Sequence, residues 1–245
     1  MKREPSPSAP LGLLCAMAEE IAAFGETFRI NASYEIAGFR FLAGELDGAR
    51  VVMAETGIGK VNAALAAGLM AARFDARGLM VTGVAGALAP DLRTGDWVVA
   101  DRLIQHDYGA MIDRRLVRYQ PGVPPLPGFA QTHGYGLDAD LRANIHKALA
   151  GNAAPRFGTI LSGDTFLNCG ETREALFGET GALAIDMESA AVAQVAERFG
   201  LPWVALRAIS DGADGDSADD FARFVHDAAR HAAACVRRLV EARVL

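Results

Sequence analysis

From Leu11 onward, short apolar runs that read as strands alternate with segments of helical pattern, and this alternation restricts the fold more than any other feature. Leu11–Met17 reads as a strand, with a short helix from about Ala18. Tyr34–Leu46 alternates around Gly38 and Gly44, as a hairpin does. Val51–Glu55 is a strand, broken by Gly57 and Gly59 before an Ala-rich helix over Lys60–Phe74. Gly78–Thr82 is a strand that ends in a loop, Gly83–Gly86. Asp96–Ile104 is another strand, Gln120–Gly128 a proline-rich loop, and Leu137–Ala150 a helix. Phe157–Leu161, Ala182–Asp186 and Trp203–Ile209 read as strands. Thr172–Phe177 and the largely apolar Glu188–Phe199 read as the helices between them. The last helix has the clearest start, with Ser217 and Asp220 in a capping-box-like arrangement. Phe221, Phe224, Val225, Ala228, Ala232, Cys235, Val236 and Leu239 follow at helical spacing. The alternation predicts one α/β domain over residues 11–245 with a parallel or mixed sheet. Residues 1–10, polar and broken by proline, are expected to be a disordered tail.

Composition narrows the function. Hydrophobic residues make up 51% and charged residues 22%, which suits a globular core and not a disordered or fibrous chain. The formal net charge of −6 disfavours a phosphate backbone, and so nucleic acid, as partner. Cys15, Cys169 and Cys235 are odd in number and far apart, which suits a reducing compartment. The apolar run at Leu11–Met17 ends in Glu19-Glu20 without a cleavage site, and no run reaches the roughly 18 residues of a membrane span. The reading is a soluble cytoplasmic protein with no membrane partner.

In such sheets ligands bind beyond the carboxyl ends of the strands. Gly57-Ile58-Gly59-Lys60-Val61-Asn62 follows a strand, but Asn62 stands where a dinucleotide loop has its third glycine. Val61 stands where a Walker loop needs Ser or Thr. By itself this is a tight strand-to-helix turn. Gly83-Val84-Ala85-Gly86 is either close packing or a backbone cradle. The five histidines show no zinc-site spacing, and there is no G-x-S-x-G elbow. The carboxylates say more. Glu20, Asp186, Glu188 and Asp211 all stand at strand ends, where each could be a mere helix cap. Glu188 opens a helix whose first turns, Ser189 to Ala193, are small or apolar all round. An acid buried there needs a partner or a task.

Together these strand ends resemble one family. Cys15-Ala16-Met17-Ala18-Glu19-Glu20, Thr56-Gly57-Ile58-Gly59-Lys60-Val61-Asn62, Thr82-Gly83-Val84-Ala85-Gly86 and His106-Asp107 come first. Ser162-Gly163-Asp164-Thr165-Phe166, Asp186-Met187-Glu188-Ser189-Ala190-Ala191 and Arg207-Ala208-Ile209-Ser210-Asp211 follow. In that order, over about Leu11 to Leu239, they look like the 5′-methylthioadenosine/S-adenosylhomocysteine nucleosidases of the purine nucleoside phosphorylase superfamily.

The resemblance implies a three-layer α/β/α sandwich with a central mixed sheet, and cleavage of an adenine nucleoside at its N-glycosidic bond without metal or cofactor. The sugar then develops oxocarbenium character. Adenine leaves when N7 is protonated by a carboxylic acid of raised pKa, matched by Asp211 with Ser210 beside it. Glu20 matches the base that activates water, and Glu188 the group that holds the ribose hydroxyls. Met187 matches a residue packed on the sugar, Phe166 the aromatic stacked on adenine, and Leu167 the backbone that reads its edge. Met17, Ile58, Val84 and Gly86 are expected to line the pocket.

The resemblance also implies a homodimer, with the segment 109–128 near the neighbouring active site. Two departures concern substrate. Val84 stands where these nucleosidases often have serine, and 109–128 carries Asp113, Arg114, Arg115 and Arg118 where the family has apolar cover. Those charges are either a solvated loop or a selection for a charged 5′ group. A phosphorylase needs cations for its phosphate, and the bacterial hexameric phosphorylases that this chain resembles carry one arginine just after the first strand and another before the glycine loop. Here Cys15–Ala23 holds no Arg or Lys, and the glycine loop reads Val81-Thr82-Gly83-Val84, so the comparison implies water as the nucleophile. The alternatives are a phosphate-dependent purine nucleoside phosphorylase, a futalosine-type nucleosidase and a nucleoside-binding protein.

Overall fold

The computed structural model describes residues 9–129, 131, 133–151, 155–214 and 217–245. Most of the expected tail, residues 1–8, lies outside the described residues. Ala9 and Pro10 belong to the packed body: Ala9 is buried, and its carbonyl accepts from Arg77 Nη1 at 2.7 Å.

The strands are β1 (Leu11–Cys15), β2 (Phe28–Ile36), β3 (Phe39–Leu46), β4 (Ala49–Glu55), β5 (Leu79–Ala87), β6 (Trp97–Gln105), β7 (Gly109–Ile112), β8 (Arg115–Arg118), β9 (Tyr135–Gly136), β10 (Arg156–Ser162), β11 (Ala184–Asp186) and β12 (Trp203–Asp211). The helices are α1 (Ala18–Ala22), α2 (Lys60–Arg73), α3 (Ala139–Ala148), α4 (Gly170–Thr180), α5 (Ser189–Phe199) and α6 (Ser217–Glu241). Among the described residues, ten strands form one mixed sheet in the order β11-β10-β6-β12-β5-β1-β4-β3-β2, with β9 on β6. β1, β4, β5 and β12 run parallel through the middle, and β2–β3–β4 is an antiparallel meander.

Alternation on the central strands sorts side chains to two faces. Leu14, Val81, Ala85, Ala205 and Ile209 pack toward the small side chains of α2 and α5. Leu13, Cys15, Met80, Val204 and Leu206 pack toward α3 and α6. This is the three-layer α/β/α sandwich the resemblance implied. β5 and β12 are buried along their whole length, which is why they read as nearly continuous apolar runs. No helix among the described residues is long and apolar enough to cross a membrane.

Two local expectations change. The strand starting at Gly78 does not end in a loop: β5 runs on through Gly83–Gly86 to Ala87. Its last residues pair with β12 on one side and antiparallel with β11 on the other, Ala184 opposite Ala87 and Ile185 opposite Gly86. This closes β5, β12, β6, β10 and β11 into a ring. Second, 109–128 is not all loop, because β7 and β8 form a hairpin with Asp113 and Arg114 at its turn, at φ +47° and +63°. Paired positive φ values give a turn whose twist matches the strands. The last helix, α6, is described from Ser217, where its start was expected, and the Ser217 hydroxyl accepts from the N–H of Asp214 at 2.6 Å.

Candidate active site

The strand ends converge on one cleft of about 320 Å³. It is lined by Met17, Glu20, Ile58, Val84, Gly86, Phe166, Leu167, Met187, Glu188, Ser210 and Asp211, which are all the site residues singled out from the sequence. Ala16, Ala85, Thr165, Ile185, Asp186 and Phe221 complete the lining. None of these side chains is cationic, and the wall is mostly apolar.

Glu20 is placed by α1. It sits in the helix's first turn and folds back, so that Oε2 accepts the N–H groups of Ala16 at 2.7 Å and Met17 at 3.1 Å. Oε1 reaches across the sheet to the N–H of Val84 at 3.1 Å. Burial raises its pKa, against the pull of Arg207 and these three N–H bonds. The side chain at residue 84 therefore faces the cleft while its backbone holds the acid.

Glu188 stands between β11 and α5. Its Oε1 accepts from the N–H of Gly59 at 3.0 Å and its Oε2 from Arg207 Nη2 at 3.2 Å. Burial pushes its pKa up, and Arg207 opposes the shift. Asp186 lines the cleft but is spent on structure. Oδ1 accepts from Ser162 Oγ at 2.5 Å and from the N–H groups of Glu188 and Ser189, both at 3.2 Å. Oδ2 accepts from Ser189 Oγ and, at 2.8 Å, from Arg207 Nε.

Arg207 sits behind the cleft with no exposed surface. Its Nη1 donates to the Thr82 carbonyl at 3.3 Å. Burial works against its charge, but Asp186, Glu188 and Glu20 hold its pKa above the ordinary arginine value. No site role was assigned to Arg207, Asp186 or Phe221 from sequence. A lone arginine inside the apolar run Trp203–Ile209 was the available signal, since a charge there must be paired.

Asp211 ends β12 opposite Gly86. Its Oδ1 accepts from the N–H of Ala213 at 2.9 Å, and its Oδ2 lies 2.8 Å from Ser210 Oγ. Burial raises its pKa, with these bonds opposing. A raised pKa makes a carboxyl at a cleft wall better suited to giving a proton to a ligand. Two of the lining residues, Phe166 and Phe221, meet edge to face at 6.2 Å between centroids and give the cleft an aromatic, apolar wall. The site thus gathers the carboxyl groups of Glu20, Glu188 and Asp211 in one mostly apolar cleft.

The sequence model of the Phosphorylase superfamily matches residues 10–241. The 5′-methylthioadenosine/S-adenosylhomocysteine nucleosidase of Mycobacterium bovis is 40% identical over 94% of this chain and 96% of its own. Among solved structures, the nucleosidase of the same name from Helicobacter pylori, in complex with a substituted pyrrolopyrimidine, superposes with TM-score 0.85 at 32% identity. That match covers 96% of this chain and 99% of the other. The futalosine hydrolase of Helicobacter pylori superposes with TM-score 0.85 at 31% identity, over 96% of this chain and 98% of its own.

Proposed function

The chain belongs to the phosphorylase superfamily and, within it, to the 5′-methylthioadenosine/S-adenosylhomocysteine nucleosidases, and from that premise we propose that it hydrolyses the N-glycosidic bond of a 5′-substituted adenosine, releasing adenine. Its substrates are 5′-methylthioadenosine, S-adenosylhomocysteine or a close relative. Glu20, ionised, takes a proton from a water beneath the anomeric carbon. Glu188 accepts hydrogen bonds from the ribose hydroxyls. Asp211, protonated, gives its proton to N7 of the leaving adenine, which bonding to Ser210 helps to orient. Phe166 packs on the base, Met187 on the sugar, and the Leu167 backbone reads the base edge. Residues 11–245 act as one unit in this reaction.

The observation that carries the reading is a cleft with four buried carboxyl groups, Glu20, Asp186, Glu188 and Asp211, and no cationic lining residue. A phosphate dianion would meet like charge there, whereas water and a sugar passing through a cation meet partners. Arg207 does not supply the missing charge, because its donors are engaged by Asp186, Glu188 and Thr82.

Ile58 of the cleft wall, Val61 and Leu65 of α2, and Met111 and Ile112 of the hairpin are all exposed. They support pairing with a second copy, with 109–128 reaching toward the neighbouring cleft.

Adenine release from 5′-methylthioadenosine, S-adenosylhomocysteine and adenosine in phosphate-free buffer tests the reaction. Release from a 5′-thio substrate is expected. Activity strictly dependent on phosphate would replace hydrolysis by phosphorolysis. The equally close likeness to futalosine hydrolase favours one second reading, so futalosine belongs in the same assay. Turnover of futalosine alone would move the substrate but keep the reaction.

A further inference from the structure

Outside the cleft, three of the strand-end segments are locked together by an ionic cluster that the chemistry above does not use. Lys60 Nζ bonds Asp107 Oδ1 and lies 3.7 Å from Asp164 Oδ2. The backbone N–H of Lys60 donates to Asp164 Oδ1 at 2.8 Å, and the N–H of Asp164 donates to Asp107 Oδ2 at 2.9 Å. Lys60 is drawn in, with its side chain 16% exposed.

Gly59 stands between this cluster and the cleft. Its own N–H goes to Glu188 Oε1, while the next N–H, of Lys60, goes to Asp164. Only a residue at φ +101° aims successive N–H groups at these two carboxylates, and a Cβ there would come within 3.3 Å of Asp164 Oδ1. Asp164 also begins the segment Thr165–Leu167 that lines the cleft. The cluster therefore touches the support of Glu188 on one side and the base-facing segment on the other. Partly exposed ion pairs add little to global stability, which leaves geometry as the cluster's main effect.

We infer that Lys60, Asp107 and Asp164 form a positioning clasp that fixes the Gly59 N–H on Glu188 and sets the distance between Glu188 and the Thr165–Leu167 segment, and thereby governs the affinity of the site for its nucleoside. None of the three is a catalytic residue, since none lines the cleft. The inference rests on the proposed role of Glu188 at the ribose.

A double-mutant cycle tests it. Lys60→Met keeps the stem and removes the charge, and is expected to raise KM for 5′-methylthioadenosine about 10-fold with kcat changed much less, the scale of one weakened bond to a charged group. Asp107→Asn should do the same without altering the lysine, and covers the case that Lys60→Met does not fold. Lys60→Arg should recover most of the loss. In a Glu188→Gln background Lys60→Met should have under about a twofold further effect on kcat/KM, because coupled residues are not additive. An unchanged KM in both single variants, or the same factor in both backgrounds, overturns the clasp. The wild-type arm separates the two claims. If wild type releases no adenine from any of the nucleosides, the hydrolase reading fails, and the same cycle is read in adenosine affinity by titration calorimetry.

Discussion

A methyl carbon placed on Gly83 would lie 2.1 Å from Glu20 Oε1 and 2.7 Å from Arg207 Nη1. The strand is bare at this point because an acid from α1 and a guanidinium from β12 arrive at the same spot. Gly83→Ala must displace one of them, and φ +144° adds backbone strain. Such overpacking costs about 1–3 kcal/mol. A shift of about 1 Å in the acid costs on the order of 100-fold in rate. Steady-state kinetics and urea unfolding measure both. A Gly83→Ala enzyme with wild-type kcat would show that the position of Glu20 does not matter to the reaction.

Arg207 compensates carboxylates from β11, the start of α5 and α1 at once. Arg207→Met keeps the stem and leaves Glu188 and Glu20 without their cation. Removing one partner of a buried pair costs about 3–5 kcal/mol. The sign with pH follows from the direction of the shifts. Burial already raises the pKa of Glu20 and of Glu188 above the unfolded values, and Arg207 is the largest influence opposing it, ahead of the backbone N–H bonds. Stability tied to a raised carboxyl is present below the unfolded pKa and lost as pH rises through the folded one. The deficit of Arg207→Met should therefore be larger at pH 8 than at pH 5. Equal deficits at both would mean that packing, and not charge, is what the arginine supplies.

The places where this reading and the sequence differ have one physical cause. Strands, helices and the three carboxylates were legible because each rests on local pattern: an apolar run, a helical period, an acid at a strand end. The glycines of β5 suggest a loop in the sequence because Gly83 and Gly86 answer to distant side chains. Gly86 leaves room for Asp211 Oδ1 and Ala213, each 3.0 Å from where a Cβ would be. Nothing within β5 itself announces that. The β7–β8 hairpin was hidden because Asp113-Arg114 is not the usual glycine-bearing turn pair. Arg207 had no visible task until segments far apart in sequence brought their acids to it.

Glu20 must be ionised to take a proton from water. Its pKa is raised by burial, so the acid limb of kcat/KM should lie above the ordinary glutamate value of about 4.3. A pH–rate profile on 5′-methylthioadenosine reads the limb directly. Stopping at the ordinary value would mean that the rate does not wait on buried Glu20.

Asp211→Asn should separate rate from stability. The amide fits the bonds already present: its oxygen accepts from Ala213, and its NH₂ donates to Ser210 Oγ. Ser210 can then donate to the Ala85 carbonyl, 3.4 Å away. Without a proton to give, the variant should lose about 10²–10⁴ in kcat, the range for a general acid. Burial raises the pKa of Asp211, so the native protein carries the cost of an ionised, buried carboxylate once the pH passes the folded value. The neutral amide escapes that cost. Asp211→Asn should melt higher than wild type at pH 8, and the gain should shrink toward pH 4. Calorimetric scans at the two pH values, beside an adenine-release assay, test both halves. Near-full turnover would remove Asp211 from the proton-donor role, and a melting gain equal at both pH values would show that titration of this carboxyl is not its source.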